Sequence, residues 1–339
     1  GELVTYCEAY SRALNGFIVS REQNYQLELR SGICCVEDSD ASDINSLLDR
    51  ANMALKTIKV KGAAQWKFYD HTMRDKLLRE KDLEIRMEKA LADGEFLVYI
   101  QPKYWVGTRA LAGGEALVRW KSPDQGFLSP GEFIPLFEKN RFIVKLDQFM
   151  FTSVCGLLRQ WLDAGIEPRP LSVNVSRMQF HTPDFVERYI RIKSQYAIPD
   201  GLLELEFTES IFFDNVALLS SAVHELRRAG IKCSIDDFGA GYSSLNVLKA
   251  LPVSVLKLDG MFFRTAKDDE QAKIVIRNIM RMAGELKMAT VAEGVETPEQ
   301  GAFLETTGCD IIQGYVFARP MPAAEFTELL AGEGGHAER

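Results

Sequence analysis

The chain has 339 residues, of which 46% are hydrophobic, and its 48 acidic against 40 basic side chains leave a formal charge of −8. That length exceeds the roughly 100–200 residues of a typical domain, so one large domain with a smaller companion is expected, with apolar content enough for a full core. The negative balance argues against a nucleic-acid duplex or an anionic membrane as main partner, while leaving room for an anionic small ligand bridged by cations.

The six cysteines (Cys7, Cys34, Cys35, Cys155, Cys233 and Cys309) show no CxxC spacing, which fits reduced thiols in a cytoplasmic protein. No apolar run approaches the roughly 20 residues that span a bilayer, and no charged-then-apolar signal opens the chain. The expectation is a cytoplasmic location without membrane contact by this chain, although a longer parent protein could be anchored upstream.

In chain order, Tyr25 to Val36 reads as extended, and Asp43 to Lys61 has helical spacing through Ile44, Leu47, Leu48, Ala51, Ala54 and Leu55, a small α+β piece. Thr72, with Asp75 three residues on, can cap a helix in which Leu77, Leu83, Met87 and Leu91 recur along a highly charged stretch to Ala92. Asp93-Gly94 is its stop, and a solvated connecting helix is expected.

From Phe96 the rhythm changes to short β-rich runs: Phe96 to Ile100, Glu115 to Trp120, Leu171 to Val175, Leu203 to Phe207, Ile231 to Ile235, Val255 to Leu258, Ala289 to Ala292 and Ile311 to Tyr315. Helical stretches fill most gaps: Phe142 to Ala164, Pro183 to Tyr196, Val216 to Ala229, Asp269 to Leu286, Pro298 to Thr306 and Ala323 to Leu330. Such alternation means βα units and a mainly parallel sheet, and eight runs suggest a closed barrel. The connection Pro102 to Gly114 is too short for a helical crossover, so the first strand is expected to run antiparallel to the second. The fold class is therefore α/β, a modified TIM (β/α)8 barrel with an antiparallel first strand and a small α+β piece before it.

Glu115, Glu206, Asp236, Asp237 and Glu293 stand at or just past the ends of separate runs, where parallel barrels keep their chemistry. Asp236 and Asp237 precede Phe238-Gly239-Ala240-Gly241. Neighbouring side chains of a strand point to opposite faces, so both acids reach one site only if the chain already turns there, which the glycines would permit. An aspartate could instead cap the helix starting near Ser243, and Glu206 could be an ordinary salt-bridged acid. Asn174 forms a sequon inside a strand-like run, and a neutral oxygen ligand is the better reading. Lys257, in an otherwise apolar strand, needs acidic neighbours if it points inward.

Five acids against Lys257 leave four formal negative charges, which two divalent cations would neutralise; oxygen donors select hard ions such as Mg²⁺ or Mn²⁺. His71, His181, His224 and His336 lie off the strand ends, against a His-rich zinc site or a Ser-His-Asp triad.

Glu115-Ala116-Leu117-Val118-Arg119-Trp120, Asn174-Val175-Ser176, Glu206-Phe207-Thr208-Glu209, Asp236-Asp237-Phe238-Gly239, Lys257-Leu258-Asp259, Ala292-Glu293-Gly294-Val295-Glu296 and Gln313-Gly314-Tyr315 resemble, in order and spacing, the signature motifs of the EAL-domain cyclic di-GMP phosphodiesterases. The resemblance covers roughly residues 80–330. It implies a barrel that linearises cyclic di-GMP to 5′-pGpG with two Mg²⁺ or Mn²⁺ ions. Glu115, Asn174, Glu206, Asp236 and Asp237 are then implied as metal ligands, with Glu293 and Gln313 completing the shell directly or through water.

Lys257 is implied to hold or polarise the attacking water. Glu209 is implied to anchor the Asp-Asp-Phe-Gly loop and the adjacent surface of a homodimer. Gln101, Leu117, Arg119, Gln313 and Asp259 fall on the substrate side, where an arginine fork suits phosphate. Two departures from the family pattern, Lys103 after Gln101-Pro102 and Ala240 in place of a hydroxyl residue, are expected to touch no metal ligand.

The N-terminal piece resembles the end of a GGDEF domain: Ser31-Gly32-Ile33 its late strand, and Leu48 to Leu55 its closing helix, with Asn52 where an aspartate is usual. No cyclase loop is present, so no diguanylate cyclase activity is expected. The implied organisation is a partial GGDEF-like domain over 1–71, a linker helix over 72–94, the barrel over 95–332 and a tail over 333–339. The competing readings are a cyclic di-GMP receptor that binds without cutting and signals through protein partners, and an unrelated metal-dependent barrel lyase or aldolase.

Overall fold

A computed structural model describes residues 4–10, 30–36, 43–58, 66–209, 211, 216–239, 248, 251–265 and 269–334. The chain divides into two compact units, Gly1–Arg86 and Met87–Arg339. In the first, β1 (Ser31–Ile33) pairs in parallel with β2 (Trp66–Phe68), and the helix Ile44–Lys56 connects them. Asp43 starts this helix by accepting from the Asn45 amide at 3.0 Å. The extended stretch expected from Tyr25 is a strand at Ser31–Ile33, and residues 25–29 lie outside the described residues, as do 59–61 at the expected end of the helix.

The charged helix expected from Thr72 spans His71–Ala92. Its cap is a correction: Asp70, not Thr72, caps the first turn, accepting from Thr72 N–H at 2.6 Å. A carboxylate outcompetes a hydroxyl there because the helix N-terminus is electropositive.

The second unit is a closed barrel. The strands are β3 (Phe96–Trp105), β4 (Leu111–Ser122), β6 (Leu171–Asn174), β7 (Leu203–Thr208), β8 (Lys232–Phe238), β9 (Val255–Leu258), β10 (Ala289–Ala292) and β11 (Ile311–Ile312). They follow one another around the ring as β3-β11-β10-β9-β8-β7-β6-β4, and the β3–β4 pair closes it. From β4 through β11 neighbours are parallel, whereas β3 is antiparallel to both of its ring neighbours. The five residues between β3 and β4 allow only a hairpin, with Arg109 at φ 59° in its turn. Short strands β5 (Gly126–Leu128) and β12 (Met321–Pro322) extend β4 and β3.

Period-2 alternation sorts the strand residues. Ile100, Ala116, Val173, Leu205, Ile235 and Leu256 belong to the buried apolar layer beneath the surrounding helices. The opposite set, Gln101, Lys103, Glu115, Ser172, Glu206, Ser234, Asp236 and Lys257, is polar and also buried. Barrels of this type fill their interior with branched apolar layers. Here the interior must instead be held by pairing, since an unpaired buried polar group costs several kcal/mol.

Several elements differ from the sequence expectation, the short strands β5 and β12 and the helix Met261–Thr265 among them. The helix Pro130–Lys139 was not foreseen; Ser129 and Glu132 form a capping box around Pro130 at its first turn. The last strand stops at Ile312, because the chain turns at Gly314, where Val316 N–H already bonds to Val295 C=O at 3.1 Å. Among the described residues no helix is long and apolar enough to cross a membrane.

Candidate active site at the barrel mouth

Register alone brings most of the strand-end residues together. Glu115 on β4 pairs with Gln101 on β3, Asn174 on β6 with Glu206 on β7, and Lys257 on β9 stands beside Val291, two residues before Glu293. Lys257 is fully buried, and its Nζ lies 2.5 Å from Glu206, 2.7 Å from Glu293, 3.2 Å from Asp236 and 3.5 Å from Glu115. One ammonium thus joins carboxylates from four strands. Asn174 Nδ2 donates to Glu115 Oε1 at 2.7 Å, and Gln313 Nε2 donates to Glu115 Oε2 at 2.6 Å and to Gln101 Oε1 at 3.1 Å.

Asp236 and Asp237 serve one site because the strand breaks its own alternation. Asp237 has φ 54°, a left-handed conformation that aspartate tolerates better than most residues, and the β8–β9 register shifts between Ile235 and Phe238. Asp236, Asp237 and Glu293 consequently bring one carboxylate oxygen each within 4.8 Å of one another. The turn sits on the aspartate itself and continues at Gly239, φ 93°, where a Cβ would meet the Phe262 ring at 2.1 Å. Gly239 N–H donates to Glu209 Oε2 at 3.2 Å, so Glu209 touches this loop. Ala240, Gly241 and the helix start at Ser243 fall outside the described residues.

The expectation that Lys103 touches no ligand-set residue is corrected. Its side chain is buried, and Nζ lies 2.7 Å from Ser172 Oγ and 2.9 Å from Glu206 Oε1. Each oxygen of Glu206 therefore meets a different lysine. Alternation carried the signal: Gln101 and Lys103 are two apart on one strand and share its inner face.

With two lysines among five acids the formal excess is three negative charges rather than four. The protonation pattern follows. Burial opposes ionisation of Glu206, but Lys103 and Lys257 outweigh it and hold its carboxyl at about 2. Burial and the neighbouring carboxylates push Glu115 and Glu293 up, and burial with Asp236 and Asp259 raises Asp237 to about 6. Burial disfavours the charge of Lys257, yet the four surrounding carboxylates raise it well above the ordinary lysine value.

The remaining expected residues lie around this cluster. Leu117 and Arg119 share the inner face of β4 with Glu115 and, with Asn174, Ile134 and Asp147, line a cavity of about 540 Å³. The Arg119 guanidinium packs 5.5 Å from the Tyr99 ring centroid and donates to Val118 C=O. Asp259 accepts from Met261 N–H at 2.6 Å and acts electrostatically on Asp237. Also missed by sequence reasoning was Asp147, buried in the helix Ile143–Asp163, which accepts from Ser176 N–H at 3.0 Å and Gln179 Nε2 at 3.2 Å and so holds the loop after Asn174.

This donor set suits a hard divalent cation. It is all oxygen, it carries excess negative charge, and Gln313 Oε1 is buried without a hydrogen-bond partner among the described residues. His71, His181 and His224 lie on helical segments away from the strand ends, and His336 is outside the described residues.

The EAL domain family matches residues 85–320. Similar proteins include the cyclic di-GMP phosphodiesterase NbdA of Pseudomonas aeruginosa, 34% identical over 292 residues, covering 86% of this chain and 37% of that protein. The cyclic di-GMP phosphodiesterase PdeR of Escherichia coli is 32% identical over 287 residues, covering 84% of this chain and 43% of that protein. The solved structure of the PaMucR phosphodiesterase in complex with c-di-GMP superposes with a TM-score of 0.68 at 35% identity, covering 72% of this chain and 99% of that one. The chain spans less than half the length of these two curated relatives.

Proposed function

The chain belongs to the EAL domain family, and from that premise we propose that it is a divalent-metal-dependent phosphodiesterase that hydrolyses cyclic di-GMP to linear 5′-pGpG. The observation that carries this reading is the convergence of Glu115, Glu206, Asp236 and Glu293 on the single Lys257 ammonium, with Asp237 beside them. An anionic substrate can enter so acidic a pocket only with cations between.

In this proposal Glu115, Asn174, Glu206, Asp236 and Asp237 would hold two Mg²⁺ or Mn²⁺ ions, and Gln313, whose amide oxygen has no hydrogen-bond partner among the described residues, would complete the shell directly or through water. Bound ions supply the charge that lowers a water's pKa and stabilises the phosphate and leaving oxygens. The Lys257 ammonium donates to and orients the attacking water, and Glu293, 2.7 Å from it and with its carboxyl pushed up, takes the water's proton. Water adds to one phosphorus and a single P–O3′ ester bond breaks, leaving a 5′-phosphate and a 3′-hydroxyl. Arg119, with Gln101, Leu117, Gln313 and Asp259, positions the dinucleotide, and Glu209 keeps the loop after Asp237 in place through Gly239.

The same proposal covers the chain's organisation: a GGDEF-like remnant over 1–71, a linker helix over 72–94, the barrel over 95–332 and a tail over 333–339. It also covers a homodimer formed through the barrel and a cytoplasmic location. The experiment is incubation with cyclic di-GMP and Mg²⁺ or Mn²⁺, with chromatographic detection of the linear dinucleotide. Binding without product would replace the hydrolase by a receptor that signals through partners.

A further inference from the structure

We infer that Lys103 is a positioning residue of this site: from beneath the carboxylate cluster it fixes Glu206 so that one oxygen stays turned toward the cation position. The inference rests on the metal-dependent reading above. Lys103 is on β3, the strand that runs against the others, and stands in register with Gly113, two residues before Glu115. Its side chain therefore starts below the carboxylate layer, opposite a residue without a side chain. A register shift between Lys103 and Tyr104 adds local twist at that point, as bulges beside functional sites do.

The two lysines on Glu206 are not equivalent. Lys257 is shared among four carboxylates and can lean toward any of them while remaining paired. Lys103 forms hydrogen bonds to two groups, Ser172 Oγ at 2.7 Å and Glu206 Oε1 at 2.9 Å. Ser172 is buried as well and donates onward to Gly114 C=O at 3.4 Å, next to Glu115. A chain of hydrogen bonds thus runs from the β4 backbone through Ser172 and Lys103 to the inner oxygen of Glu206. That leaves Oε2 as the oxygen facing the cluster, now held by Lys257. Without Lys103 the buried Glu206 keeps a single counterion, and the carboxylate can turn both oxygens onto Lys257 and away from a cation.

Simple Coulomb reasoning gives the opposite sign, because removing a cation from an acidic cluster strengthens binding of another cation. The test uses that contrast. Mn²⁺ binding is measured by calorimetry on the full chain, without nucleotide, for the unaltered protein and for Lys103→Met, Lys103→Gln and Ser172→Ala. Turnover of cyclic di-GMP and thermal unfolding are measured on the same preparations. The expected result is an at least tenfold weaker Mn²⁺ affinity and at least tenfold lower kcat in Lys103→Met, with KM for the nucleotide changed less than threefold, because Lys103 lies below the ligand.

Ser172→Ala should give a smaller loss of the same sign. The double variant Lys103→Met/Ser172→Ala should be no worse than Lys103→Met, because both act through one chain of contacts. Should Lys103→Met fail to fold, Lys103→Gln, which keeps a donor, carries the same expectation at reduced size. Unchanged or tighter Mn²⁺ binding in a folded Lys103 variant overturns the inference while leaving the phosphodiesterase reading intact. If the unaltered protein binds no Mn²⁺, the metal reading falls and takes this inference with it.

Discussion

Replacing Lys257 by Met tests whether this lysine serves as the internal counterion of the cluster. In the unaltered protein four carboxylates lie within 3.5 Å of its Nζ, with no water-exposed route for the side chain to relax. Removing one partner of a buried ion pair costs about 3–5 kcal/mol, because the remaining charge is stranded. Methionine matches the volume closely, so the packing loss should be small by comparison. At pH 7.5 without divalent ions, Lys257→Met should therefore lose about 3–5 kcal/mol, a fall in unfolding midpoint on the order of 10 °C.

The sign with pH is fixed by the carboxyls. The folded-state pKa of Lys257 is raised, so its own contribution is fully present below the ordinary lysine value and does not titrate between pH 5 and 8. Glu115 and Glu293 are already pushed upward, and with the lysine gone they take up protons more readily, so the deficit of the variant should shrink toward pH 5. Saturating Mn²⁺ should rescue the variant by more than it stabilises the unaltered protein, whose gain at a hundredfold excess over Kd would be about 2.7 kcal/mol. Urea unfolding followed by the fluorescence of Trp120 and Trp161, both buried in the barrel unit, reads these differences. Equal stability of the two proteins at pH 7.5 without metal would refute the counterion reasoning.

Other outcomes follow from the same geometry. Glu115→Ala or Asp236→Ala should abolish hydrolysis in Mg²⁺ or Mn²⁺ while circular dichroism shows the barrel intact; retained turnover in either rejects the site assignment. Asp237, raised to about 6, must ionise to bind a cation, so Mn²⁺ affinity should fall about tenfold from pH 7 to pH 5 on its account, which titration calorimetry at both pH values would measure. Asp147 is raised by burial to about 7 from an ordinary value of 3.8, so its ionisation costs folded-state stability as pH rises between those values. Asp147→Asn should accordingly stabilise the protein at pH 8 by up to about 4 kcal/mol and be near neutral at pH 4, and a pH-independent effect in urea unfolding would contradict that. Gly314→Ala would place a Cβ 2.1 Å from Val295 C=O, so a loss of about 1–3 kcal/mol with reduced turnover through the neighbouring Gln313 is expected from melting and rate measurements.

Much of the fold was legible because its signals are local. Apolar runs of four to six residues, the helical spacing between them and the short Pro102–Gly114 connection depend on near neighbours, and they foretold a closed barrel with one reversed strand. The acids at strand ends were likewise visible one motif at a time. Local signals failed where two groups competed for one role: Asp70 displaced Thr72 as cap, and the last strand yielded to the turn at Gly314.

Residue order is enough to say which side chains stand at each strand end, and hence that the barrel mouth is acidic and made of oxygen donors. How those groups pair emerges with the closed ring. Lys103 and Glu206 are 103 residues apart in sequence, and no periodicity states that a side chain rooted on the reversed strand reaches up to one oxygen of Glu206 while Lys257 takes the other. Nor could it state that Asp237 itself supplies the left-handed turn. Alternation says whether a side chain points inward, but the register between strands and the closure of the ring set its height and its partner, and those are properties of the assembled sheet.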